Sequence, residues 1–122
     1  MHWIETETDF PSEMAILVAS PDSPADHQPP SVQGRVPDLF AQGGALGRVI
    51  IGEAKTASDI ETQRSRQQFA DYLRYLAVHE HSMLIAAVPW YCVNQTRSLL
   101  RSIQKKTGTQ QVKITVLEQL PG

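Results

Sequence analysis

The chain has 122 residues, of which 41% are hydrophobic and 20% charged, and its 11 Lys and Arg against 13 Asp and Glu leave a net charge of −2. That is enough chain for one core, and residues 1–122 read as a single domain. The balance excludes a whole-molecule basic field, so any contact with nucleic acid needs a local patch or metal ions. Cys92 is the sole cysteine, which excludes an internal disulfide and points to a reducing, cytoplasmic setting. No apolar run approaches the roughly 20 residues that span a bilayer, and no basic segment followed by an apolar stretch marks a signal peptide.

In chain order, Ile4, Thr6, Thr8 and Phe10 alternate as in a short strand or extended arm. Residues 13–20 (EMAILVAS) form an apolar run of strand length. Four prolines among Asp, Ser and Gln make about 21–35 a loop. Residues 36–41 (VPDLFA) and 48–55 (RVIIGEAK) read as two strands joined by a glycine turn, hence an antiparallel hairpin. Ser58, with Glu61 three residues on, has the form of a helix N-cap and capping box. From there to about Glu80, Phe69, Tyr72, Leu73, Leu76 and Ala77 fall on one helical stripe. Residues 82–88 (SMLIAAV) make a buried strand. Residues 94–107 make a second amphipathic helix that Gly108 ends, and 111–118 (QVKITVLE) an alternating strand that is half buried or at an edge. The fold class expected is α/β: a mixed β-sheet flanked by helices, in the order β-β-β-α-β-α-β, with the first three strands antiparallel and helical crossovers joining the rest.

The hairpin concentrates the chemistry. If Ala41 faces Arg48, then Asp38 faces Ile51 and Val36 faces Glu53. Alternation then puts Asp38, Ile51, Glu53 and Lys55 on one face. Asp38 and Glu53 would stand diagonally on neighbouring strands, roughly 7–8 Å apart between Cα atoms. Two carboxylates this close repel unless a cation or proton lies between them. Hard oxygen donors favour Mg²⁺ or Mn²⁺, and no Cys/His spacing for zinc is present. Lys55 beside them is suited to orienting a water or stabilising charge on a phosphoryl group.

Val36-Pro37-Asp38 followed by Gly52-Glu53-Ala54-Lys55 resembles the signature of the PD-(D/E)xK nuclease superfamily, and Gln68 to Tyr72 is similar to the Q-x-x-x-Y helix motif of its RecB-like branch. The motif residues span 37–72, and the order of elements extends the likeness over about 13–118. The resemblance implies a restriction-endonuclease-like fold and a Mg²⁺-dependent (or Mn²⁺-dependent) endonuclease that hydrolyses phosphodiester bonds in DNA. It implies Asp38 and Glu53 as metal ligands, Lys55 as the catalytic lysine and Gln68 as an accessory residue. The family usually has a helix before the first strand, often with a further acidic ligand, whereas about twelve residues precede the first expected strand here. Glu5, Glu7 or Glu13 are the carboxylates available to replace that ligand, and His2 is an upstream histidine of the kind some RecB-like nucleases carry.

Other candidates have ordinary readings beside them. Tyr72 lies in the apolar stripe and reads equally as core. Arg64 and Arg66 can reach phosphates from the first turns of the helix or simply solvate it. Arg97, Arg101, Lys105 and Lys106 form the best local basic patch, suited to a phosphate backbone or to keeping an outer helix face soluble. Trp90 and Tyr91 are positioned to stack on bases, cap a core or contact a second copy. His79 and His81 lack a third metal ligand, and Cys92 reads as a buried thiol. Two functions remain open: the DNA endonuclease, for which a two-fold dimer would suit cutting both strands, and a catalytically silent nuclease-like module for nucleic-acid binding or complex assembly.

Overall fold

The computed structural model describes residues 15–18, 30–32, 34–43 and 47–119. His2, Glu5, Glu7, Glu13, the expected N-terminal arm and most of the proline-bearing loop lie outside the described residues. Among the described residues, five strands form one sheet in sequential order: β1 (Ala15–Val18), β2 (Leu39–Gly43), β3 (Arg48–Ala54), β4 (Met83–Val88) and β5 (Lys113–Glu118). β1, β2 and β3 pair antiparallel, while β3, β4 and β5 run parallel. Two 15-residue helices make the crossovers, α1 (Gln63–Ala77) between β3 and β4, and α2 (Val93–Thr107) between β4 and β5. A 3₁₀ turn, Trp90–Cys92, leads into α2.

The mixed sheet follows from the connections. A short turn can only reverse the chain, whereas a 15-residue helix carries it back to start a parallel strand. Two right-handed crossovers between adjacent strands place both helices on the same face. The core there joins Phe40, Val49, Ile51, Leu84, Ala86 and Val88 of the sheet to Phe69, Tyr72, Leu73, Leu76, Leu100 and Ile103 of the helices. A second, smaller cluster of Leu39, Ala41, Ile50, Met83 and Ile85 occupies the other face. The inner strand β4 is buried at every position, as its unbroken apolar run requires, and β5 at the edge is half-buried over most of its length.

Several boundaries differ from the sequence reading. β2 begins at Leu39 rather than Val36, and Val36 is half exposed. β2 and β3 pair Leu39 with Gly52 and Gly43 with Arg48, two residues away from the expected register, because β2 continues through Gln42 and Gly43 and leaves four residues rather than six between the paired ends. α1 begins at Gln63, with Thr62 as its N-cap accepting from Ser65 N at 3.1 Å. The reason lies in Ile60, which is fully buried, as is Phe69. Nine helical residues turn through about 900°, so a helix starting at Ser58 would point Ile60 away from the face that buries Phe69. Instead 57–62 form a turn, in which Thr56 Oγ1 donates to Asp59 Oδ2 at 2.9 Å and Ser58 stays exposed. α1 ends at Ala77, before Glu80. Gly108 ends α2 as expected, at φ 66°. The buried Gln104 secures that end, its Nε2 donating to Thr109 O and Val112 O. No helix among the described residues is long and apolar enough to cross a membrane.

Candidate active site at the carboxyl end of strand β3

Glu53 is the last buried residue of β3, and Lys55 follows the strand's end. Extending the β2–β3 register one step beyond Leu39 and Gly52 sets Asp38 directly opposite Glu53. The two-residue slip preserves the alternation of faces, so Asp38, Glu53 and Lys55 share the helix-covered face as expected. What changes is that the carboxylates are opposed rather than diagonal.

Main-chain groups tie the pair together. Asp38 N donates to Glu53 Oε2 at 3.1 Å, and Ala54 N donates to Asp38 Oδ2 at 2.8 Å. These bonds extend the hairpin by side chains after its ladder has stopped. Lys55 N continues on the other side, donating to Ala87 O of β4 at 3.0 Å. The strand end that carries the site is therefore held from both neighbours.

α1 closes the arrangement from above. Gln68 Nε2 donates to Glu53 Oε1 at 3.0 Å and to Tyr72 Oη at 3.1 Å, while Gln68 Oε1 accepts from Lys55 Nζ. Residues four apart share one helix face, which is why Gln68 and Tyr72 reach the same point. Tyr72 combines both roles foreseen for it: its side chain is fully buried in the core, and its hydroxyl reaches the polar cluster. Lys55 Nζ also stands 5.9 Å from the centre of the Phe69 ring.

Glu53 is 6% exposed. Burial, reinforced by the negative charge of Asp38, pushes its carboxyl up from 4.5 to about 7; the Asp38 amide, Lys55 and Gln68 pull the other way without cancelling the rise. Tyr72 is also raised, mainly by burial and then by the charge of Glu53.

Arg35 and Asp71 were not foreseen. Arg35 Nε donates to Asp71 Oδ2 at 3.2 Å, and the Arg35 charge offsets part of the rise at Tyr72. Asp71 also receives Gln67 Nε2 at 3.1 Å. The pair joins the segment before Asp38 to α1, across 36 residues of sequence. No local spacing signals such a contact.

The remaining candidates stand apart from this cluster. Arg64 is exposed at the start of α1. Arg97 binds its own helix through Asn94 Oδ1 at 3.2 Å, and Arg101 and Lys105 are exposed further along α2. From Arg97 to Lys105 the helix rises about 12 Å, away from the carboxyl ends of the strands. Trp90 and Tyr91 are 69% and 62% exposed, edge to face at 5.5 Å, just past the end of β4. His79 packs on Tyr75 at the opposite end of the sheet, and Cys92 is buried. Among the described residues no group of three or more His, Cys, Asp or Glu is placed to hold a metal ion.

Comparison with known proteins returns no match by family model, by curated sequence or by solved structure.

Proposed function

We propose that this protein is a metal-dependent nuclease of the PD-(D/E)xK type, a restriction-endonuclease-like endonuclease hydrolysing phosphodiester bonds in DNA. The observation that carries the reading is the buried Glu53 carboxylate, opposed to Asp38 and linked through Gln68 to Lys55. The donor set fits Mg²⁺ or Mn²⁺. Each carboxylate has about four lone-pair sites, so the hydrogen bonds described leave capacity for a hard cation. A carboxyl held near 7 beside a second carboxylate is also a site whose ionised form a cation would favour.

Asp38 and Glu53 would hold that ion. When bound, it supplies Lewis acidity toward a phosphoryl oxygen and lowers the pKa of water. The chain's own groups do the rest. The Asp38 and Ala54 amides fix the two carboxylates so that they need not reorganise. Gln68 aims Lys55 Nζ at the same region, where its charge stabilises the negative charge that develops as the phosphorus is attacked. Tyr72, buried and resistant to ionisation, holds the Gln68 amide in that orientation.

The test is cleavage of supercoiled plasmid, linear duplex and single-stranded DNA with Mg²⁺, Mn²⁺ or EDTA. The reading requires metal-dependent cleavage that Asp38→Ala and Lys55→Ala both abolish. One observation favours the second reading, a silent nuclease-like module for nucleic-acid binding or assembly: only two carboxylates converge among the described residues. Folded protein that cleaves nothing at any metal concentration would select it.

A further inference from the structure

The two helices carry seven of the chain's eleven basic residues and one of its thirteen acidic ones, a net charge of +6 on 30 residues. The rest of the chain carries −8. The net charge of −2 therefore conceals a strong segregation, with the positive charge gathered on the layer that covers one face of the sheet.

Part of that charge lines a groove of about 240 Å³ between α1 and α2, into which Arg66, Arg74 and Lys106 project together with Gln63 and Ser102. Leu99 and Ile103 form its apolar floor. The helices run in the same direction, so the groove follows both axes. Arg66 and Arg74 are eight residues apart, about 12 Å along α1. One strand of duplex advances about 3.4 Å per phosphate, so that distance matches three to four phosphates. Two carboxylates lie at the rim: Glu61 Oε1 is 3.8 Å from Arg66 and Asp71 Oδ1 is 3.6 Å from Arg74. Both arginines are exposed; the Arg66–Glu61 pair is of the surface kind that contributes little, and Asp71 is held in addition by Arg35 and Gln67, which leaves the Arg74 guanidinium open to a multivalent anion.

We propose that this groove binds the phosphodiester backbone of nucleic acid, independently of metal and of the Asp38–Glu53 cluster. Arginine forks beside neutral amide and hydroxyl donors are the groups that contact phosphate oxygens without reading sequence. α1 starts at the carboxyl end of β3, so a strand lying along the groove enters the molecule at the end that holds Glu53 and Lys55. The preference for nucleic acid over an acidic peptide rests on the nuclease reading; the anion site itself does not.

The experiment is fluorescence anisotropy of a labelled 20-base-pair duplex in EDTA, from about 50 to about 200 mM NaCl, so that neither metal nor turnover enters. The triple variant Arg66→Gln/Arg74→Gln/Lys106→Gln, checked for folding by circular dichroism, is expected to bind roughly 10- to 100-fold more weakly at the lowest salt. The slope of log affinity against log salt should fall by about 2 to 3, one step per lost contact. Lys113→Gln, on β5 and outside the groove, should change neither quantity. No binding by the wild type, or a folded triple variant within twofold of it, overturns the proposal. So does a poly-glutamate peptide that binds more tightly than the duplex through the same three residues, which would make the partner an acidic protein. Cleavage that fails while binding persists counts against the nuclease reading alone, and binding that fails while cleavage persists counts against the groove alone.

Discussion

Glu53 accepts a hydrogen bond from the main-chain amide of Asp38, while the carboxylate of Asp38 accepts one from the amide that follows Glu53. Each acid is thus oriented by the strand that carries the other. The hairpin pays for holding two carboxylates together with these bonds and with the proximity of Lys55, yet the carboxyl of Glu53 still rises to about 7. The pair is set up for something that neutralises it.

The folded-state value of Glu53 is raised, so its contribution to stability is fully present below its ordinary value of 4.5 and is lost as pH rises through about 7. The loss between those limits is on the order of 3 kcal/mol, which corresponds to roughly 10 °C in melting temperature for a chain of this size. Thermal melts of the wild type should fall over pH 4.5–7 by more than those of Glu53→Gln. Equal slopes in the two proteins would show that Glu53 is not the group concerned.

Divalent cations should reverse that loss. At pH 8 without metal, Mg²⁺ or Mn²⁺ in the millimolar range is expected to raise the melting temperature of the wild type and leave Glu53→Gln unmoved, since ligand binding to the folded state alone stabilises it. Calorimetric titration measures the same coupling directly.

Asp38→Asn keeps a side-chain oxygen for the Ala54 amide but removes the neighbouring charge that helps raise Glu53. The Glu53 carboxyl should then titrate at lower pH, visible in the ¹³C shift of its side chain. An unchanged or higher midpoint would contradict the electrostatic account.

Gln68→Leu leaves Glu53 Oε1 and Lys55 Nζ without the amide that joins them. On the nuclease reading, kcat should fall about 10- to 100-fold as positioning is lost, with the fold retained. Tyr72→Phe, which removes only the hydroxyl, should cost less than Gln68→Leu in the same cleavage assay.

The start of α1 can be tested by stability alone. Thr62→Ala removes the side chain that caps Ser65 N and should cost about 1 kcal/mol in urea denaturation. Ser58→Ala, in the exposed turn before the helix, should change stability by less than about 0.5 kcal/mol. The reverse ranking would place the cap where the sequence pattern alone had suggested it.

Much of the fold was legible because it rests on local chemistry. The β-branched run at 48–55, the apolar stripe from Phe69 to Leu76 and the glycine at 108 each specify an element within a few residues of themselves. The order of strands and helices follows from these, and so does the face shared by Asp38, Glu53 and Lys55. That face survived a two-residue error in register because strand side chains repeat with a period of two. The register itself, the opposition of Asp38 to Glu53 and the shift of the helix cap to Thr62 were decided elsewhere. They depend on how the hairpin turn closes and on the burial of Ile60, which only the packed core imposes. The Arg35–Asp71 pair and the cationic groove belong to the same class. Their members lie on separate elements, and it is the two crossovers onto one face of the sheet that bring them together.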